Sequence, residues 1–166
     1  MERRYQGVPV QDRNEDAASS TPVRTGVRLQ RGMARWLIDG NNVMGSRPDG
    51  WWNNRPKAMA RLAQEIAEWC ITHDDEVVLV FDGAEQPSVA VLAGGNLSIR
   101  FAPRRGRDAA DDEIVALATS VADLDDPAGD DLVVTGDRGL IARLPPETEV
   151  LGAGRFLRLV AEASGG

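Results

Sequence analysis

Three observations in the amino-acid sequence predict a three-layer α/β/α sandwich built on a mainly parallel central sheet. From Ala34 onward, apolar runs of strand length alternate with stretches of helical period. Val77 to Phe81 is a continuous β-branched and aromatic run, as expected of a central parallel strand covered on both faces. Four separate segments also carry a carboxylate at or just past an apolar run: Trp36-Leu37-Ile38-Asp39, Val77 to Asp82, the segment reaching Asp111-Asp112, and Leu132-Val133-Val134-Thr135-Gly136-Asp137. In a parallel sheet the carboxyl ends of the strands share one edge, so acids far apart in sequence are expected in one cleft.

The elements follow in order. Arg35 to Asp39 reads as a short buried strand. Arg55 to Ile71 reads as a helix, because Met59, Leu62, Ala63, Ile66, Ala67 and Cys70 repeat at i, i+3, i+4. The strand Val77 to Phe81 comes next, and another is expected over Leu97 to Phe101. Asp108 to Ala122 is read as a helix with Ile114, Val115, Leu117, Ala118 and Val121 on its apolar side, followed by an acidic loop from Asp123 to Asp131. Leu132 to Thr135 is a further central strand. Arg138 to Leu144 is a short helix stopped by Pro145-Pro146, Glu149 to Leu151 a last strand, and Gly154 to Ala163 a closing helix. Residues 34 to 163 thus form one domain. Residues 1 to 33 differ: they are polar and arginine-bearing without sustained period, which suggests a disordered basic arm, and Met33 offers an alternative translation start.

Composition narrows the chemistry. No run of 18 or more apolar residues appears and the start lacks a signal-peptide core, so a cytoplasmic protein with no membrane partner is expected. The single cysteine, Cys70, excludes an internal disulfide, and no Cys/His zinc spacing exists. The only histidine, His73, lies in the polar stretch Thr72 to Asp75 and is read as a solvated loop residue, which leaves Ser/His/Asp and Cys/His catalysis without a base. The net charge of -7 at pH 7 does not exclude a nucleic-acid partner, because clustered acids that bind metal carry much of it. Nearly all the positive charge is arginine, whose planar fork suits phosphate.

Each acidic segment has a structural reading beside a functional one. Asp39-Gly40-Asn41-Asn42 is either a strand-to-loop turn or an acid and amides at a cleft mouth, with glycine letting the backbone turn. Phe81-Asp82-Gly83 is either a turn or a second acid at the same edge. In Asp108 to Glu113 the acids complement a helix dipole, with Asp108 as cap, but capping does not call for both Asp111 and Asp112. In Thr135-Gly136-Asp137-Arg138, Asp137 is placed to cap a helix, bind metal, or both. Several carboxylates in one cleft repel one another unless divalent cations neutralise them, which points to metal-dependent hydrolysis of phosphate esters. Arg104, Arg105 and Arg107 just before the acidic helix, and Arg138 after Asp137, are candidate phosphate contacts, with Arg47 and Arg55 of lower weight. Trp51 and Trp52 are candidates for stacking on single-stranded bases, or alternatively for capping the sheet end.

The segments Asp39-Gly40-Asn41-Asn42, Phe81-Asp82-Gly83, Ala110-Asp111-Asp112-Glu113-Ile114 and Thr135-Gly136-Asp137-Arg138-Gly139 together resemble the NYN domain, in its bacterial YacP-like branch, within the PIN-like nuclease superfamily. The resemblance covers about Arg35 to Val160. It implies a parallel-sheet sandwich, the ribonuclease activity of many members, and Mg2+ or Mn2+ held by the acids; the acid set and the modest size favour an endoribonuclease on single-stranded or structured RNA. Asp39, Asp111, Asp112 and Asp137 match its acidic core, Asn42 its supporting amide, and Asp82 an acid found in part of the superfamily. Catalytic roles are therefore expected for Asp39, Asn42, Asp111, Asp112 and Asp137, and metal ligation from Asp39, Asp82, Asp111 and Asp137. Gly136 stands where the family often has serine. The alternatives are a non-catalytic RNA-binding or adaptor module on the same fold and, ranked last, a haloacid-dehalogenase-type phosphatase, which lacks its Asp-x-Asp pair and lysine here. The sequence leaves open a homodimer and association with the ribosome.

Overall fold

The computed structural model describes residues 34–102, 109–122 and 131–165. The basic arm with Met33, the arginines 104, 105 and 107, the Asp108 cap and most of the acidic loop lie outside the described residues. Five strands, β1 (Arg35–Asp39), β2 (Glu76–Asp82), β3 (Leu97–Ala102), β4 (Asp131–Val134) and β5 (Glu149–Leu151), form one sheet in the order β3-β2-β1-β4-β5. All four pairings are parallel. Among the described residues, six helices accompany them: α1 (Gly40–Gly45), α2 (Arg55–Cys70), α3 (Pro87–Ala90), α4 (Ala109–Ala122), α5 (Arg138–Ile141) and α6 (Ala153–Ser164).

Alternation along the strands divides the core in two. Ile38, Leu79, Phe81 and Val134 face one layer with Leu62 and Ile66 of α2 and Phe156 of α6. Leu37, Val78, Val80 and Val133 face the other, against Ala110, Ile114 and Ala118 of α4 and Leu140 of α5. Successive strand side chains point to opposite faces, so a strand covered on both sides must be apolar throughout. That is why β1, β2 and β4 read as continuous apolar runs.

The central strand is tied to β4 at its entry. Arg35 Nε and Nη2 donate to the two carboxylate oxygens of Asp131 at 2.9 and 2.8 Å, and Nη2 also reaches the Leu117 carbonyl at 2.7 Å. Asp131 therefore belongs to β4 and not to the acidic loop expected from sequence, because the Arg35 pairing extends the strand by one residue. The opposite contact keeps the Arg35 guanidinium charged, chiefly through the hydrogen bond to Asp131.

Other differences from the sequence reading concern short elements. Asp39-Gly40-Asn41-Asn42 is not a strand-to-loop turn: Asp39 caps α1 directly, its side chain accepting the Asn42 N–H. Gly40 is needed for space. A Cβ there would lie 2.5 Å from Phe81 Cε1 and 2.9 Å from the Val80 carbonyl oxygen, so only glycine lets α1 start against β2. Trp51–Asn53 forms a single 3-10 turn within the expected loop. The four-residue α3 was not anticipated, and α5 ends at Ile141. His73 is not fully solvated. Its ring packs on Trp69 with centroids 4.2 Å apart, and burial lowers its pKa. It follows α2 and precedes β2, at the edge of the sheet opposite the acids. Cys70 is buried as expected, which raises its thiol pKa to about 11.

Gly40→Ala is expected to destabilise the protein by about 3 kcal/mol or more, since Phe81 is fully buried and overfilling a close-packed core is costly. A drop in the urea midpoint at unchanged slope is the expected observation; a midpoint equal to wild type would contradict the packing described.

Candidate functional site

In a doubly wound sheet, the strand order reverses at the point where the chain leaves one side of the first strand and returns on the other. Here that point lies between β1 and β4, and Asp39 stands at it, 4% exposed. The Asp39 carboxylate joins the two strands. Its Oδ1 accepts the Asn42 N–H at 3.0 Å, and its Oδ2 accepts the Thr135 hydroxyl, just past β4, at 3.0 Å. Thr135 Oγ1 in turn accepts the Asp137 N–H at 3.1 Å.

The adjacent amides Asn41 and Asn42 reach opposite ways. Successive helical residues diverge by about 100°, so α1, sitting over the end of β1, offers one amide to each neighbouring strand. Asn42 Oδ1 accepts the Gly136 N–H at 2.7 Å, on the β4 side. Asn41 Nδ2 donates to Asp82 Oδ2 at the end of β2, and Asn41 Oδ1 accepts from Arg55 Nη2 at 2.9 Å. Asp82 Oδ1 accepts the Ala110 N–H at 2.9 Å, so this acid satisfies an orphan donor in the first turn of α4. By this route Asp82 ties the start of α4, and with it half-buried Asp111, to the carboxyl edge of β2. Asp137 caps α5, with Oδ1 accepting from the N–H groups of Gly139 at 2.6 Å and Leu140 at 3.2 Å.

The structure thus brings Asp39, Asn42, Asp82 and Asp137 to one edge, with Asp111 at the head of the neighbouring helix. Asp112 is turned outward and forms an ion pair with Arg143. Arg138 is exposed beside Asp137, whereas Arg47 is paired with Glu65. Trp51 is half-buried against the core, and Trp52 is 64% exposed. Sequence reasoning gave no role in the site to Thr135, placed Asn41 at the cleft mouth without a partner, and gave only low weight to Arg55. Thr135 was visible as the polar end of an apolar run, but nothing local marks its partner 96 residues away.

Electrostatics single out Asp39. Its pKa is raised above the ordinary 3.8, first by burial and further by the charges of Asp82 and Asp137, while the bonds from Asn42 and Thr135 pull it down. The donors offered at this edge are hard carboxylate oxygens, which suit Mg2+ or Mn2+. Among the described residues no group of three acidic, histidine or cysteine side chains is spaced to hold a metal ion. This still fits Mg2+, which commonly takes one or two carboxylates and completes its shell with water and substrate phosphate.

No protein-family model matches the chain, and no curated protein sequence matches it. Solved structures do. Two crystal structures of Rae1 (YacP) from Bacillus subtilis, one of them a point mutant, have this fold. The mutant superposes with a TM-score of 0.62 at 23% identity, covering 80% of this chain and 78% of that one. The other gives a TM-score of 0.64 at 21% identity, covering 80% and 76%. The fold is therefore that of Rae1 (YacP).

Asp39→Asn is expected to be more stable than wild type in metal-free buffer at neutral pH, with a Tm higher by about 2–5 °C, because the amide oxygen still accepts the Asn42 N–H, its NH2 donates to the Thr135 hydroxyl oxygen in place of the reverse bond, and no charge is buried. The sign follows from the raised pKa. As pH climbs from the ordinary carboxylate value through the raised one, the unfolded chain has already lost the proton that the folded protein retains, so wild-type stability falls across that window. The variant lacks this loss, and its advantage grows from acid to neutral pH; equal Tm values at all pH would refute the buried-charge account.

Proposed function

We propose that this chain is a YacP-like NYN protein that hydrolyses RNA phosphodiester bonds with Mg2+ or Mn2+ as cofactor, as an endoribonuclease. The observation that carries the reading is the buried Asp39 carboxylate at the strand-order reversal, flanked by the charges of Asp82 and Asp137. Maintaining a charge there opposes folding, which is unusual unless the charge is used. The YacP fold supports the same reading.

One or two of Asp39, Asp111 and Asp137 would hold the cation, with water and substrate phosphate completing its shell, and Asp82 fixes the helix that carries Asp111. A bound divalent cation supplies charge stabilisation on the phosphate and eases deprotonation of the attacking water. The chain's own residues do the rest. Thr135 and the Asn42 N–H hold both oxygens of Asp39 in place, so the carboxylate does not reorient as substrate arrives. Asn42, through Gly136 N–H, fixes the backbone leading to Asp137. Arg138, exposed at the same edge, would neutralise a phosphate of the strand. Asp112, paired with Arg143, acts at this site only if that surface ion pair opens, which costs about 1 kcal/mol or less.

One observation favours a second reading, an RNA-binding module without cleavage: no three-acid group among the described residues is spaced for a metal. Cleavage of labelled RNA separates the two. Wild type is expected to cut RNA with Mg2+ or Mn2+ and not with EDTA, and Asp39→Asn and Asp137→Asn to lose at least 100-fold in kcat, roughly 3 kcal/mol of barrier. RNA retained without cleavage by wild type, with binding insensitive to Asp39→Asn, would establish the binding module instead.

A further inference from the structure

Trp51 and Trp52 are adjacent, yet the structure gives them opposite surroundings. Trp51 packs on the core side, where a Cβ at Gly45 would meet its ring at 3.8 Å, and Trp52 stands edge-on against it with centroids 6.1 Å apart and an interplanar angle of 82°. Trp52 is 64% exposed. The exposed indole is not on a loose loop. Arg47 is paired with Glu65 and Arg61 with Asp49 at 2.9 Å, which joins the connection to one face of α2 at two points. Asp49 Oδ1 also accepts the Trp51 N–H at 3.2 Å, Gly50 takes the left-handed φ of 75° that starts the turn, and Asn54 caps α2 immediately afterwards. A large apolar face is therefore held in water by a rigid mount.

The mount is also joined to the acidic edge. Trp52 is three residues from Arg55, a backbone span of at most roughly 11 Å, and Arg55 bonds the Asn41 that bonds Asp82. From these observations we infer that Trp52 is a stacking platform for one unpaired base of the RNA strand, a few nucleotides from the scissile phosphate. The substrate of the proposed nuclease is on this account single-stranded where it crosses the α1–α2 connection. The inference rests on the proposed RNA-directed function, which it makes more specific. A protein partner is the weaker occupant. One indole offers only about 150 Å² of apolar surface, against the roughly 1,000 Å² that a stable protein interface needs. Its neighbours Asn53, Asn54 and Lys57 are exposed and polar or cationic, which suits a nucleotide strand. In a duplex the face of every internal base is covered by its neighbours, so stacking on Trp52 selects strands whose bases are unpaired.

The test compares wild type, Trp52→Ala, Trp52→Phe and Asp39→Asn on a single-stranded oligoribonucleotide, the same strand in a perfect duplex, and the same strand carrying abasic sites. Trp52→Ala should raise KM for the single strand about tenfold with kcat within about twofold, the size expected for loss of one base stack. Trp52→Phe should restore most of the affinity, and neither variant should change the weaker binding of abasic strand or duplex. Binding in EDTA, followed by the fluorescence anisotropy of end-labelled RNA, gives the same comparison without cleavage. If wild type binds RNA but does not cut it, the nuclease reading fails while this second readout still decides the role of Trp52. Equal affinity of wild type and Trp52→Ala for the single strand, or an equal loss on abasic strand, overturns the inference.

Discussion

The structure depends on one carboxylate set at a place that disfavours its charge. Asp39 ends the central strand at the reversal of strand order, and both neighbours of that strand are organised around it. Through Thr135 it is bonded to the chain leaving β4, and its cap of α1 sets where Asn41 and Asn42 stand. Burial and the charges of Asp82 and Asp137 oppose its ionisation, and two hydrogen bonds answer them in part. A purely structural strand end has no need of such an arrangement; a threonine or asparagine would cap the helix without a buried charge. The remaining imbalance is what a bound divalent cation would relieve.

Around Asp39 the chain uses pairs of neighbouring polar residues for divided work. Asn41 and Asn42 diverge by one helical step, one reaching β2 and the other the segment after β4. Asp111 and Asp112 diverge in the same way at the start of α4, one half-buried and one turned outward to Arg143. Trp51 and Trp52 split between core and solvent. In each case the helical or 3-10 geometry converts adjacency in sequence into separate directions, so a single short turn serves two neighbours.

Much of the fold was legible in the sequence because parallel strands covered on both faces are written as unbroken apolar runs, and β1, β2 and β4 are of that kind. The helices α2 and α4 were legible from their period. Helix α1 was not, since glycine and two asparagines are poor helix formers; it exists because Asp39 caps it and because Val43 and Met44 are buried beneath it. Gly40 was read as a turn residue, but its reason is the 2.5 Å approach to Phe81, which no local pattern reveals. The edge on which the acids meet followed from the parallel direction of the strands, whose carboxyl ends share one side. The use of Asp82 did not: its bond to the Ala110 N–H spans 28 residues, and capping rules read from sequence consider only near neighbours. Which tryptophan faces solvent was likewise beyond any local rule.

The measurement that bears most directly on the role of Asp39 is a carboxyl-carbon NMR titration of its side chain, without metal and with saturating Mg2+. The account predicts titration above the ordinary value of 3.8 in metal-free solution and a clear downward shift when Mg2+ is present. Titration at or below 3.8 without metal, unchanged by Mg2+, would contradict it.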